Sequence, residues 1–399
     1  MIVKKLSNGL KVIYKKTSQS TVSVNLTVNL GSNDEPKGIK GISHFIEHML
    51  FEGTKKRPTS LAIASEIENL GGEFNAFTNN ERTSYYVKIP KQYLDVALEV
   101  ISDMVFNSQF ADKHIKKEKK VVLNEIGSLY DDPRLYQWLL FEKTLYQKAP
   151  LMHPVIGYKE DVASLNRNKI MAFYKKYYHP GNMVLSIVGN VQNPIKSVSK
   201  YYDLQIKGKI LRRLPVFEPE KTKEIKKIEI KKLNQAYLIV GYTTTTVDKK
   251  DSFALDLIRS ILGRGFSGRL FDEIRNKRGL AYDLGVISET KISYGYFAIY
   301  ASIKKENLDE VLSLIKKEIS NLGTISKKDL DDAKRFIKGE FIMHYEDNSK
   351  LANYLCFLAF ANNLKLFNSY LKVIDKITIN DIIKCRDTYL KNPAIVILK

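Results

Sequence analysis

The stretches 169-KIMAFYKKYYHPGNMVLSIVGNV-191 and 379-INDIIKCRDTYLKNPAIVIL-398 decide the fold. Each reads as a helix, a proline-marked turn and an apolar strand, and each closes one half of the 399-residue chain. Working back from the first of them, "KVIYKK" and "VSVNLTVNL" are strands, followed by a histidine-bearing helix within 41–54 and the helix "LAIASEIENLGG". The segment "EFNAFTNNERTSYYVKIP" reads as a loop and then a strand, and "QYLDVALEVISDMVF" and "KHIKKEKKVVLNEIGSLY" as two more helices. The second half repeats the order: strands "KIEIKK" and "AYLIVGYTTT", helices "FALDLIRSILG" and "RLFDEIRNKRGL", strand "YGYFAIYASI", then two long helices. Self-similarity on this scale predicts two copies of one unit, an α+β chain with domains at 1–205 and 225–399. The charged, proline-marked segment 206–224 is the expected linker.

Composition narrows the function. With 44% hydrophobic residues the chain can bury a substantial interior, and no window reaches the roughly 18 consecutive apolar residues of a membrane helix. The N-terminus has the pattern of a strand and turn, not of a signal or transit peptide, so a cytoplasmic protein without membrane partners is expected. Cys356 and Cys385 have no CxxC spacing and fit a reducing interior. The net charge of +20 invites a nucleic-acid reading. Only 13 of the 64 basic residues are arginine, however, and the lysines are spread along the chain, which argues for a solvated surface and against nucleic acid.

The stretch 41-GISHFIEHMLFEGT-54 carries the chemistry. At about 100° per residue, His44, Glu47 and His48 crowd one narrow helix face, while Ile42, Phe45, Ile46, Met49 and Leu50 fall on the opposite arc. Two histidines at i and i+4 present ring nitrogens to a common point, and H-x-x-E-H is the inverse of the zinc motif H-E-x-x-H. On five residues alone, two partly buried histidines beside a surface glutamate remain the competing reading. Catalytic zinc needs a third protein ligand. Glu118 and Glu125 lie two turns apart on one face of a later helix, where solvated charge is the bland reading. Glu125, though, follows "VVLN", the most apolar part of that helix, where an unpaired carboxylate would be costly. The duplication supplies a control: an offset of 215 pairs Glu125 with Glu340 and Glu118 with Ala333, and the second half has no histidine pair.

His44-x-x-Glu47-His48, followed by Glu125 77 positions after His48, resembles the pitrilysin/insulinase family of inverted-motif zinc peptidases, in its short-subunit, mitochondrial-processing-peptidase-like branch. The resemblance spans essentially the whole chain, including "GGEFNAFTNNERTSYY" (71–86), "EKKVVLNEI" (118–126), "YHPGNMVLSIVGNV" (178–191) and "GRLFDEIRNKRGLAY" (268–282). It implies zinc ligands His44, His48 and Glu125, the base Glu47, and Glu118 as the carboxylate supporting a histidine ligand. It also implies an arginine–tyrosine pair, Arg275 and Tyr282, as donors to the substrate carbonyl. Asn75, Ala76 and Phe77 would hold an extended peptide by strand addition.

The implied fold is a pair of duplicated α/β-roll domains forming half of a clam-shell, with a homodimer completing a chamber for peptides or unfolded segments. The implied function is a zinc endopeptidase; a non-catalytic scaffold or partner subunit of the same family is the alternative. The run "LMHPVIGY" (151–158) departs from the family pattern by its shortness, in a loop. His114, His153, His179 and His344 have no comparable support as ligands. Gly263–Gly268 matches GxGxxG, but it follows a helix, whereas a dinucleotide fingerprint follows a strand. The resemblance implies instead a flexible glycine-rich substrate loop.

Overall fold

The computed structural model describes residues 1–206, 208, 210–211, 216, 218–219 and 221–399, so the expected linker at 206–224 lies partly outside the described residues. Two sheets organise the chain. The first contains β1 (Ile2–Lys5), β2 (Lys11–Lys15), β3 (Thr21–Val28), β4 (Glu73–Thr78), β5 (Thr83–Pro90) and β6 (Met183–Gly189), in the order β1-β2-β6-β3-β5-β4. The second contains β7 (Ile225–Glu229), β8 (Ala236–Thr243), β9 (Ala281–Thr290), β10 (Gly295–Ile303) and β11 (Ala394–Leu398), in the order β7-β11-β8-β10-β9.

The orders match strand for strand once β1 is set aside. In each sheet one parallel pair, β2 with β6 and β7 with β11, sits among antiparallel neighbours. The strands that close the halves, β6 and β11, are buried along their whole length. Their nearly continuous apolar runs, broken only by the buried Ser186 of β6, follow from cover on both faces, whereas a half-solvated strand would alternate.

The compact units are not continuous in sequence. One comprises Met1–Ser128, His153–Arg213 and Met343–Leu364; the other Leu129–Met152, Leu214–Ile342 and Lys365–Lys399. The domains expected at 1–205 and 225–399 therefore each give one helix to the other unit. Helix Pro133–Leu145 packs on β8 and β11, where Leu140, Phe141 and Leu145 join Ile239, Ala298 and Val396 in a core. Helix Asn348–Phe360 packs on β3 and β6. Its Asp347 cap accepts the Ser349 N–H at 2.7 Å and pairs with Lys88 at 2.8 Å.

Two strands differ from expectation. Residues 73–78, read as a loop, form β4, the edge of the first sheet, and 281–290 form β9, the edge of the second. Edge strands expose one side and one backbone row, so they lack the apolar density that marks inner strands in sequence.

Candidate active site

The 41–54 stretch folds as anticipated from its periodicity. Helix Ile42–Leu50 buries Ile42, Phe45, Ile46, Met49 and Leu50 and packs against β4 and β5. That leaves His44, Glu47 and His48 on the other arc. Helix Asp112–Asp131 supplies the carboxylates, with Ile115, Glu118, Val122 and Ile126 on its buried side. Glu125 stands on the rim of that stripe with its side chain 41% exposed, so it is less enclosed than its apolar sequence neighbours imply.

His44, His48 and Glu125 each place one ligand atom within 4.8 Å of the other two, and no other such group occurs among the described residues. Glu125 Oε2 lies 3.6 Å from His48 Nε2 and 4.0 Å from His44 Nε2. The other nitrogen of His48, Nδ1, is 3.1 Å from Glu118 Oε2. That bond fixes the tautomer: Nδ1 carries the proton and Nε2 offers its lone pair toward His44 and Glu125.

Titration behaviour follows from these neighbours. Burial, and then the nearby His48 ring, push His44 down to about 3, so it is a neutral imidazole across the physiological range. Burial would also lower His48, but Glu118, Glu125 and Glu47 outweigh it and raise its proton affinity. The His48 hydrogen bond is the main cause that holds the Glu118 carboxyl below the usual carboxylate range. Desolvation raises Glu47 despite a short hydrogen bond from the Thr78 hydroxyl. A carboxylate whose proton affinity burial has raised, standing beside the two imidazoles, has the character of a group that takes and releases a proton. Thr78, the last residue of β4, was not legible as a site residue; in "FTNN" it looks like a turn.

The profile of the insulinase family (peptidase family M16) matches residues 11–159, and that of the peptidase M16 inactive domain matches residues 164–337. An uncharacterized zinc protease of Rickettsia bellii is 34% identical over 349 residues, covering 86% of this chain and 84% of its own. The chain belongs to peptidase family M16. An uncharacterized zinc protease of Bacillus subtilis is 32% identical over 352 residues, covering 86% of this chain and 85% of its own. In fold, this M16 chain is similar to the crystal structure of a protease from Helicobacter pylori, with a TM-score of 0.92 at 24% identity, covering 100% of this chain and 99% of that one.

The match of the second half to an M16 inactive domain has a structural counterpart. Arg259 stands 215 positions after His44, and Glu340 215 after Glu125. The guanidinium of Arg259 and the Glu340 carboxylate form a two-pronged ion pair, with Nη1 3.3 Å from Oε1. Leu262 and Gly263 stand where the repeat would need Glu47 and His48. A fixed side-chain cation thus neutralises the carboxylate that, in the first unit, faces the histidines.

Arg275 and Tyr282 belong to the second unit. Arg275 sits in a π-helical turn, Phe271–Asn276, with its guanidinium 5.0 Å from the Phe271 ring centre; Tyr282 is the second residue of β9 and is 60% exposed. Asn75, Ala76 and Phe77 lie in β4, paired on one side with Tyr86, Tyr85 and Ser84 of β5. The remaining histidines stand apart from the cluster: His114 faces Glu52 at 3.8 Å, His153 bonds Tyr158 at 2.9 Å, His179 is buried and His344 is exposed. Gly263–Gly268 follows helix Asp251–Gly263 as expected, and carries the 74% exposed Phe266. No helix among the described residues is long and apolar enough to cross a membrane.

Proposed function

We propose that this chain is a zinc-dependent endopeptidase acting on peptides or unfolded segments. The convergence of His44, His48 and Glu125, with Glu118 holding the far side of His48, carries the reading. The donors fit zinc: two imidazoles, one held neutral by burial, and one carboxylate, leaving a fourth tetrahedral position open. A zinc ion bound by these three residues would supply Lewis acidity to the attacking water and the scissile carbonyl.

The rest is done by the chain. Glu47, positioned by Thr78, takes the proton from the attacking water and delivers it to the leaving nitrogen. Glu118 orients His48. The open backbone row of β4 at Asn75, Ala76 and Phe77 pairs with an extended substrate, which gives affinity without a demand for sequence. Arg275 and Tyr282 donate to the oxygen on which negative charge develops. We infer a two-fold homodimer in which the pair from one copy serves the zinc site of the other.

Metal analysis combined with hydrolysis of a quenched, unstructured peptide tests the core of this reading. Wild type should hold one zinc per chain and lose turnover to a chelator. Glu125→Gln should lose most of the metal. Glu47→Gln should keep the zinc and lose roughly 10²–10⁴-fold in kcat. Full zinc in His44→Ala, or near-wild-type turnover by Glu47→Gln, refutes the assignment; a zinc-loaded wild type that cleaves nothing points to the scaffold alternative.

A further inference from the structure

Helix Ile42–Leu50 carries His44, Glu47 and His48, yet its own sequence gives it no N-terminal cap. The N-cap residue is Gly41, without a side-chain acceptor, and the first turn contains no acidic residue. The free N–H groups of a helix start need acceptors, and a negative charge there is favourable. Both needs are met from a distance. The Glu35 carboxylate, 5% exposed, accepts the Gly41 N–H on Oε2 at 2.7 Å and the Ser43 N–H on Oε1 at 2.8 Å.

The anchor is itself held. Lys40 Nζ donates to the Glu35 carbonyl oxygen at 2.6 Å, and the Lys40 N–H donates to Asp161 Oδ2 at 3.1 Å. Gly41 has φ +92°, and a Cβ there would lie 2.4 Å from the Ile156 carbonyl oxygen. A Cβ at Gly157 would lie 2.1 Å from the Lys40 carbonyl oxygen. Ile156 and Gly157 are thus pressed against the start of the histidine helix. Burial opposes ionisation of Glu35 and outweighs the Gly41 and Ser43 hydrogen bonds and the Lys40 charge, leaving its carboxyl pushed up to about 7. A surface cap would avoid that desolvation cost.

We propose that Glu35 is a positioning residue for the metal site: through the Gly41 and Ser43 N–H groups it fixes the axial and rotational placement of the helix, and so the direction in which His44 and His48 point. Ser43 immediately precedes His44, so a carboxylate locked onto the Ser43 amide sets the first turn, from which His44 projects, and through it the next turn, which carries His48. The proposal rests on the zinc reading above.

The test measures zinc affinity by chelator competition at pH 8, where Glu35 is mostly ionised, together with the visible spectrum of the cobalt-substituted protein, melting of the metal-free protein, and kcat and KM. Glu35→Gln keeps one acceptor and the shape of the side chain; Glu35→Leu removes both acceptors. Zinc affinity should fall about tenfold in the first and toward a hundredfold in the second, the range expected for groups that orient ligands. The cobalt spectrum should shift and kcat should fall with KM unchanged, because nothing Glu35 touches holds substrate. A purely structural Glu35 would lower the metal-free melting point while leaving zinc affinity, spectrum and kcat at wild-type values, and that result overturns the proposal. If Glu35→Leu does not fold, Glu35→Gln decides alone. A wild type that binds no zinc overturns the zinc reading as well, and is distinguished by failing before any variant is compared.

Discussion

Removal of the Glu118 carboxylate should weaken zinc binding without unfolding the helix that bears it. Glu118 is 5% exposed and meets His48 Nδ1 at 3.1 Å, so the bond is charge-assisted and poorly screened. Glu118→Gln retains a carbonyl that can accept the Nδ1–H, and loses only the charge. Glu118→Leu leaves that N–H without its acceptor at a cost of about 1–3 kcal/mol. Orienting carboxylates change metal affinity by about 10–100-fold, equivalent to about 1.4–2.8 kcal/mol, and the two variants should fall near the lower and upper ends. Lys117 keeps its 2.7 Å pair with Glu52 in either variant, so no new unpaired cation confuses the result.

The pH dependence sharpens the test. Protons compete with zinc for His48, whose proton affinity is raised in wild type, so affinity should decline as pH falls from above the usual histidine value of about 6.5. Without the Glu118 charge, that decline should begin at lower pH. Chelator-competition titrations between pH 6 and 8 read both quantities. A well-folded Glu118→Leu protein with wild-type zinc affinity, pH profile and kcat would refute the reasoning and return Glu118 to the role of a buried structural charge.

Two further outcomes follow from the architecture. In a homodimer with composite sites, mixing Glu47→Gln with Arg275→Ala/Tyr282→Phe should restore about a quarter of wild-type activity after random subunit exchange. Background activity with exchange verified by tags removes the trans arrangement. In the second unit, burial pushes Asp256 up to about 6 even though the Tyr370 hydroxyl bonds it at 2.7 Å. Its folded value is above its unfolded one, so its contribution to stability is full below about pH 4 and is lost as pH rises through 6. Asp256→Asn should therefore flatten the stability profile between pH 4 and 6 by on the order of 2–3 kcal/mol, read by denaturant melts; an unchanged slope refutes the burial argument.

What the amino-acid sequence determined by itself was whatever repeats within a few residues or along the whole chain. Helical periodicity placed His44, Glu47 and His48 on one face, because residues three and four apart are neighbours on any helix. The 215-residue offset pointed to two copies, of which only the first carries the histidine pair. It also reaches helices Pro133–Leu145 and Asn348–Phe360, which stand 215 positions apart, yet cannot say that each packs in the unit of the other half. That exchange was decided by tertiary structure, since an apolar face records that it is buried and not against which sheet. The same limit hid Glu35 and Thr78. Their roles consist of hydrogen bonds to Gly41, Ser43 and Glu47, and Thr78 acts across 31 positions from the end of an edge strand. The Arg259–Glu340 pair, 81 positions apart, joins two residues that each look like ordinary surface charge until packing places the guanidinium against the carboxylate.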